Sequence, residues 1–581
     1  MFLAPVNLIR SRPATPYQTR SLVGRASVQA VHAKGRLRLL SLKDRWRRVA
    51  LTLGVHWDAF LLSPFNYLQG VWWRTVGLKL RSRNRFAALL GRSPRAYDLW
   101  IDSVEPGAQA ELVGGRNSSD SILVVVLNPT DDRSARDTVR WISSSFGILP
   151  AIIGGSPVEG ALQLASIRQL RSLVAQEGTW ICFLEPGDRL AVSALEIYAN
   201  AIKQQPGLTV IYSDDDLVTS GRRHGPHFKS SWNPELFEYH DFITGSSVVR
   251  VTLEMLEDLR TDGDQGDLVR AALSCGPPPF HVPLVLHHRA RRPVARVPLK
   301  PVGASKAEKP SVTVIVPTRN RLSLLRTCIE GVERTLYPDI ELIVVNNDSD
   351  DPATLRYLER LARDGISVLD VGGPFNFSAL NNIAAASARG EVLCFLNNDV
   401  EIIDPDWLSA LVPHAIRKDI GAVGACLLYP DGSVQHAGVV IGVGGGAAHA
   451  HRYLGSDDPG YFMRHRLPQR VSAVTAACMV VNREKFLAVG GFDEQEFPVA
   501  FNDVDLCLKL NARGWQSFYE PRAMLIHHES KSRGKDSARE NRARFAGELA
   551  ALKRRWGTDR IRDPYHHPHL SPFCEQFQIA L

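Results

Sequence analysis

The run Val392 to Leu396 is wholly apolar and ends in an amide–amide–carboxylate tip, Asn397-Asn398-Asp399. A strand of that kind is buried, so its last residues stand at a sheet edge, where open α/β proteins keep their ligand crevice. A carboxylate held there can grip a hard divalent cation that itself grips phosphates. A strand ending in Asn or Asp is also an ordinary polar turn, and the tip alone leaves both readings open. Two further apolar runs end in polar tips, Thr318-Arg319-Asn320 and Asn346-Asn347-Asp348. A second carboxylate, Asp503 in Asn502-Asp503-Val504-Asp505, opens a helical run (Leu506, Leu508, Leu510) that Arg513-Gly514 closes. There it is either an N-cap or a base able to take a hydroxyl proton.

The elements that must hold these tips alternate regularly. Val312 to Val316, Ile340 to Val345, Ile366 to Val371 and Val392 to Leu396 are short apolar strands. Helical spacing separates them over Leu322 to Arg334, Ala353 to Arg363 and Ser378 to Ala388. That alternation predicts right-handed βαβ units and a parallel sheet, with ligands beyond the carboxyl ends of its strands.

At 581 residues the chain exceeds one ordinary core. The net charge of +8 is unevenly spread: residues 1–99 hold 18 Lys/Arg against 3 Asp/Glu, or +15, leaving −7 for the rest. Ala50 to Leu80 is aromatic and apolar, but His56, Asp58, Pro64, Asn66 and Arg74 interrupt it short of a membrane span. With Arg45, Arg47 and Arg48 before it and Lys79, Arg81, Arg83 and Arg85 after, two readings stand. The segment is an interfacial anchor at an anionic leaflet or a basic helix packed on the body. Nothing downstream resembles a nucleic-acid module, so no nucleic-acid partner is expected. Eight scattered cysteines without a CxxC pair suit a reducing, cytoplasmic compartment. Residues 290–310, rich in Pro and basic residues, read as a linker. The expected division is an arm over 1–99, a first α/β domain over 100–289, and a second over 311–581 with a C-terminal extension.

The second half resembles family two of the inverting glycosyltransferases, which share a Rossmann-like nucleotide-sugar domain, the GT-A fold. The motifs are Val314-Ile-Val-Pro-Thr-Arg-Asn320, Leu342-Ile-Val-Val-Asn-Asn-Asp348, Phe375-Asn-Phe-Ser-Ala-Leu-Asn-Asn382 and Phe395-Leu-Asn-Asn-Asp-Val-Glu401. Tyr429-Pro-Asp-Gly-Ser-Val-Gln-His-Ala-Gly438, Gly490-Gly-Phe-Asp493, Phe501-Asn-Asp-Val-Asp-Leu506 and His527-His-Glu-Ser530 follow in order. The nearest resemblance is to transferases that build bacterial surface polysaccharides, including rhamnosyl and O-antigen types. It implies a hexosyl- or deoxyhexosyl-transferase moving sugar from a nucleotide diphosphate to a glycan or lipid-linked glycan. It would work in the cytoplasm or peripherally at the cytoplasmic face of the inner membrane.

The same resemblance implies the roles. Asp399 would hold Mn2+ or Mg2+, with His527 or His528 as a further ligand. Asp503 would be the catalytic base. Pro317, Thr318, Arg319, Asn320, Asn346, Asp348, Asn381, Asn397 and Asn398 would line the donor, and Gln435, His436 and Asp505 the acceptor side. Many relatives carry Asp where this chain has Asn346, which bears on the identity of the base.

Ser121 to Gly245 resembles a shortened copy of the same domain, with Asp188 at the metal-like place and Asp214-Asp215-Asp216 after it. The interval from Val124 to Asp188 is 64 residues against 85 from Val314 to Asp399, a 21-residue deficit close to one βα unit. The copy is expected to be inactive, structural or acceptor-binding. Two alternatives to a transferase are an inactive scaffold in a polysaccharide assembly complex and a nucleotidyltransferase.

Overall fold

Apolar runs and helical spacings of the predicted kind build two sheets. The computed structural model describes residues 42–112, 122–128, 130, 133–260, 263–298, 309–455, 457–528 and 541–581. Expectations for residues 1–41, for 299–308 of the linker and for Glu529-Ser530 lie outside them. The described chain divides into two units, residues 42–297 with 562–581, and residues 298–561.

Two expected boundaries therefore move. The arm joins the first unit as five helices: α1 (Leu42–Leu62), α2 (Pro64–Thr75), α3 (Lys79–Leu90), α4 (Ala96–Ser103) and α5 (Glu105–Leu112). Val55 and Ala59 of α1 are buried, and Arg48 Nε lies 3.0 Å from Asp102 Oδ2 on α4. The C-terminal segment also leaves the 311–581 unit for the first one. Its His567 ring stacks on Phe228 at 5.1 Å, and the Ser231 N–H donates to the Pro564 carbonyl at 2.8 Å.

The first unit's strands are β1 (Ile122–Leu127), β2 (Ala151–Ile153), β3 (Leu162–Leu164), β4 (Thr179–Leu184), β5 (Arg189–Leu190), β6 (Val210–Thr219), β7 (Arg222–His227), β8 (Ser247–Val251) and β9 (Phe280–Arg289). Their order is β3-β2-β1-β4-β8-β6-β9-β5, with β7 on β6. The second unit holds β10 (Val312–Thr318), β11 (Ile340–Asn346), β12 (Ser367–Asp370), β13 (Val392–Leu396), β14 (Val400–Ile402) and β15 (Ile420–Leu428). After these come β16 (Val434–His436), β17 (Val439–Ile441), β18 (Ala447–His449), β19 (Gln469–Val471), β20 (Cys478–Asn482) and β21 (Gln516–His527). The main sheet runs β12-β11-β10-β13-β20-β15-β21-β14.

The four strands read from sequence are the parallel half of that sheet: β10 pairs in parallel with β11 and β13, and β11 with β12. Beyond β13 it turns mixed, with β20 antiparallel to β13 and β15. Val314, Val316, Cys394 and Leu396 face one side of this core, and Ile315, Leu393 and Phe395 the other. This is the period-two alternation of a strand buried on both faces.

The two sheets share one plan. The parallel pairs β1–β2, β1–β4 and β6–β9 match β10–β11, β10–β13 and β15–β21. The antiparallel pairs β4–β8, β6–β8 and β5–β9 match β13–β20, β15–β20 and β14–β21. The expected missing βα unit is instead a loss of helix. Helix Pro352–Arg363 joins β11 to β12, whereas only residues 154–161 join β2 to β3. Helix Phe377–Ser387 precedes β13, whereas one 3-10 segment, Ile167–Ser172, precedes β4.

The acidic run of the first unit is buried, not a solvated turn. Asp215 lies 2.7 Å from Lys229 Nζ and also bonds Arg292. Burial pushes the Asp215 carboxyl up, but Lys229 and Arg292 outweigh it and hold it well below the usual range. Removing one cation from a buried cluster leaves the carboxylate under-compensated, here with Arg292 still bonded to it. Lys229→Met should therefore cost about 3–5 kcal/mol of stability, read from urea unfolding.

Candidate active site

Three polar tips meet at one sheet edge because β10, β11 and β13 run parallel. Thr318 is in register with Asn346, and Ile315 with Phe395, so residues 397–399 project beyond the same edge. Asn398 Nδ2 donates to Thr318 Oγ1 at 2.9 Å, tying the tip of the fourth strand, β13, to that of the first, β10. Asn320 accepts the N–H groups of Asp350 and Asp351 at 3.0 Å each, tying the first to the second. Asn320 and Asp348 adopt φ of 55° and 51°, the left-handed region that Asn and Asp tolerate best among side-chain-bearing residues.

The donor-side residues divide by what they touch. Arg319 is exposed at the rim. Asn346 donates to Asp370 Oδ1 at 2.7 Å and accepts the Ser349 N–H at 3.1 Å. Asp370, which the sequence reading does not single out, thus brings a carboxylate beside Asn346. Asp348 accepts the Gly373 N–H at 2.7 Å and shapes the neighbouring loop. Pro317 lies buried within β10. Asn381 is not at the rim: it is fully buried and its amide donates to Phe377 in its own helix at 2.8 Å.

At the β13 tip, His527 is the histidine that faces Asp399. Its Nε2 lies 3.1 Å from Asp399 Oδ1, and its Nδ1 lies 2.6 Å from Gln435 Oε1. Gln435 Nε2 meanwhile donates to the His527 carbonyl at 3.3 Å, which fixes the amide's orientation. With Oε1 accepting, Nδ1 carries the proton and Nε2 of the neutral ring keeps its lone pair. Asn397 Nδ2, 3.4 Å from Nε2, agrees with that assignment. Nε2 and Asp399 Oδ1 are then two acceptors facing each other, a contact that a cation between them would relieve. A nitrogen–carboxylate pair with a carbonyl-type acceptor behind the imidazole suits a divalent metal.

His528 turns elsewhere, because adjacent strand residues point oppositely. Its Nε2 pairs with Glu401 at 3.0 Å beside a cavity of ≈ 250 Å³ lined also by Ser323, Thr327 and Asp399. Gln435, expected on the acceptor side, instead positions His527. Replacing Gln435 with Ala should weaken Mn2+ binding about 10–100-fold, the usual worth of such a partner, as measured by calorimetric titration.

Asp503 is half-buried in the first turn of helix Asn502–Ala512, whose N-cap is Phe501. Its carboxylate is not a cap. Oδ1 accepts the neighbouring Val504 N–H at 2.8 Å, and Oδ2 accepts the Ala476 N–H at 3.2 Å. The next residue, Ala477, accepts the Asn397 N–H at 3.0 Å. One short segment thus links Asp503 to the tip that carries Asp399. Burial pushes the Asp503 carboxyl above its ordinary value, against the pull of those N–H bonds.

Two residues expected on the acceptor side are internal. Asp505 is fully buried, 2.9 Å from Arg555 Nη1 and bonded by Trp556 Nε1 at 2.8 Å. His436 is fully buried and shares a 2.9 Å contact with His449.

The first unit's equivalents are spent on structure. Asp188 accepts the Ala290 N–H on Oδ1 at 2.8 Å and the Glu185 N–H on Oδ2 at 3.1 Å. Burial pushes its carboxyl up to about 7. His288 pairs with Arg189 as His527 pairs with Val400, yet its Nδ1 turns to Asp216 at 2.7 Å. Asp214, His281 and His567 also bring ligand atoms within 4.8 Å of one another. There the tautomer opposes a metal: His567 Nδ1 accepts the His569 N–H at 3.0 Å, so its proton sits on Nε2, 2.8 Å from Asp214.

Residues 313–490 match the family model described as Glycosyl transferase family 2. The uncharacterized protein y4gI of Sinorhizobium fredii is 38% identical over 450 residues, 69% of this chain and 50% of that protein. The O-antigen biosynthesis protein RfbC of Myxococcus xanthus is 36% identical over 444 residues, 68% of this chain and 34% of RfbC. The chain thus spans half or less of the length of these two relatives. An N-acetylglucosaminyl-diphospho-decaprenol L-rhamnosyltransferase of Mycobacterium tuberculosis is 29% identical over 222 residues, 34% of this chain and 70% of the enzyme. Among solved structures, the mannosyltransferase PcManGT of Pyrobaculum calidifontis, in complex with GDP-Man and Mn2+, aligns with a TM-score of 0.32 at 21% identity. That alignment covers 45% of this chain and 68% of PcManGT. The family match takes in Thr318, Asn346 and Asp399 and stops before Asp503 and His527. That match places residues 313–490, within the second unit, in glycosyl transferase family 2.

Proposed function

We propose that the second unit transfers a sugar from a nucleotide diphosphate donor to a growing bacterial surface glycan, with inversion at the anomeric carbon. The observation that carries this is the linkage of Asp503, through Ala476 and Ala477, to the tip where Asp399 faces the lone pair of His527. Asp399 and His527 would hold Mn2+ or Mg2+, which neutralises charge on the leaving diphosphate. Arg319, exposed beside Thr318, adds a fixed cation on the phosphate side. Asn346 and Asp370 together offer a base edge both a donor and acceptors.

The acceptor oxygen attacks C1 as the bond from C1 to the diphosphate oxygen breaks. Its proton passes to Asp503, and the nucleoside diphosphate departs from the opposite face. A base of raised pKa suits that task near neutral pH. The names of the Myxococcus and Mycobacterium relatives support a polysaccharide or lipid-linked acceptor. The first unit would not turn over donor, since His288, which holds the register place of His527, turns its ring to Asp216.

A thermal-shift panel of nucleotide sugars in Mn2+ tests the reading, because a true donor stabilises by mass action. A donor at 100 times its Kd should contribute about 2.7 kcal/mol, and the stabilising donor should then be consumed when acceptor is added. A panel in which none stabilises, or in which loss of Asp188 rather than Asp399 abolishes the shift, overturns it.

A further inference from the structure

Helices α1 and α2 carry two apolar faces, and only one of them is used. Val55 and Ala59 point into the first unit, and Asp58 on that side is held by Arg95 at 3.0 Å and Ser93 at 2.6 Å. Away from it, Leu53, Trp57 and Leu61 recur at four-residue spacing on α1, and Phe65, Leu68 and Trp72 at three and four on α2. Such spacing puts each trio on one helix face. All six are 57–76% exposed. So dense a set of large exposed apolar side chains marks an interaction surface rather than scattered surface residues.

Charge decides between occupants. Residues 43–95 hold eleven Lys/Arg and only two Asp. A second copy of the chain would bring the same positive charge to the contact, so self-association is opposed by repulsion. An anionic bilayer offers apolar depth and opposite charge together. Trp and Phe favour the headgroup boundary, and a helix lying in that plane sinks its apolar face about 5–10 Å. No helix among the described residues is long and apolar enough to cross a membrane.

We propose that the α1–α2 face docks in the plane of an anionic phospholipid surface, with Leu53, Trp57, Leu61, Phe65, Leu68 and Trp72 inserted and the exposed Lys79 and Arg81 at the headgroups. This goes beyond the transferase reading and stands without it, since docking needs neither donor nor acceptor.

The test is flotation of the full chain with phosphatidylcholine vesicles, with and without about 30% phosphatidylglycerol, at two salt concentrations. Binding should be at least about 10-fold stronger with the anionic lipid and should weaken with salt. The triple variant Trp57→Ser, Phe65→Ser, Trp72→Ser should lose at least about 10-fold on both membranes while melting as the parent does. Lys79→Gln with Arg81→Gln should reduce only the anionic preference. Brominated lipid should quench part of the tryptophan emission of the parent chain. Absence of binding or of quenching overturns the proposal. So does binding that the triple variant leaves unchanged, since charge elsewhere would then suffice. A dimer that the triple variant disperses would make the face a contact between copies.

Discussion

Asp503→Asn should lower turnover about 10²–10⁴-fold while leaving donor and cation binding near parent values. The substitution keeps size and removes only the ability to accept a proton. The Val504 N–H can still be accepted by the Asn carbonyl oxygen, whereas the Ala476 contact would meet an amide N–H in its place. The fold should bear this, because Asp503 is not the N-cap residue and the Val504 N–H keeps an acceptor in the variant. Single-turnover kinetics against donor titration separate the two effects. A fully active variant would show that Asp503 only braces residue 476. The raised pKa adds a pH signature. Protonation disables a base, so kcat/KM should fall as pH drops through the Asp503 pKa, and that fall should begin above the ordinary carboxylate range. The limb should be missing from the residual rate of the Asn variant.

Asp399→Asn should abolish the response to divalent cation. His527 Nε2 presents a lone pair 3.1 Å from Asp399 Oδ1 because Gln435 holds the proton on Nδ1. An amide at 399 can turn its Nδ2–H toward that lone pair and complete a hydrogen bond where a cation would otherwise sit. Stability in EDTA should therefore be equal to the parent's or higher. The Mn2+-dependent shift in melting temperature and donor binding should both be lost, with cation affinity reduced by more than the about 10–100-fold that an orienting partner is worth. The backbone should hold, since the bond from His528 N–H to the Asp399 carbonyl, 3.0 Å, does not involve the changed group. A variant that still responds to Mn2+ would move the cation site away from this tip.

The parallel half of the second sheet was legible in the chain because its signals are local. Each of β10, β11, β12 and β13 is a short apolar run next to helical spacing, and their polar ends follow from strand direction alone. Motif resemblance brought Asp399 and Asp503 forward and left His527 and His528 tied. Only strand orientation separates them, sending one to Asp399 and the other to Glu401.

What sequence pattern did not show depends on partners distant in the chain. Gln435 looked like an acceptor-loop residue and became the group that sets the His527 tautomer across 92 positions. Asp370 drew no notice, yet it brings a carboxylate beside Asn346. Asn381 and Asp505 carried family positions into the interior, where burial takes them out of reach of a ligand. The 21-residue deficit is a loss of helix, with no α-helix, among the described residues, between β2 and β4 to match Pro352–Arg363 and Phe377–Ser387. Runs of three residues, such as β2 and β3, fall below what periodicity can detect, while the pairing of β2 with β1 and of β3 with β2 makes them strands. Composition and spacing decide which segments are buried, because burial answers to side-chain type. Which side chains meet is decided by the register and packing of the folded sheet, and proton placement, charge pairing and ligand access all follow from those meetings.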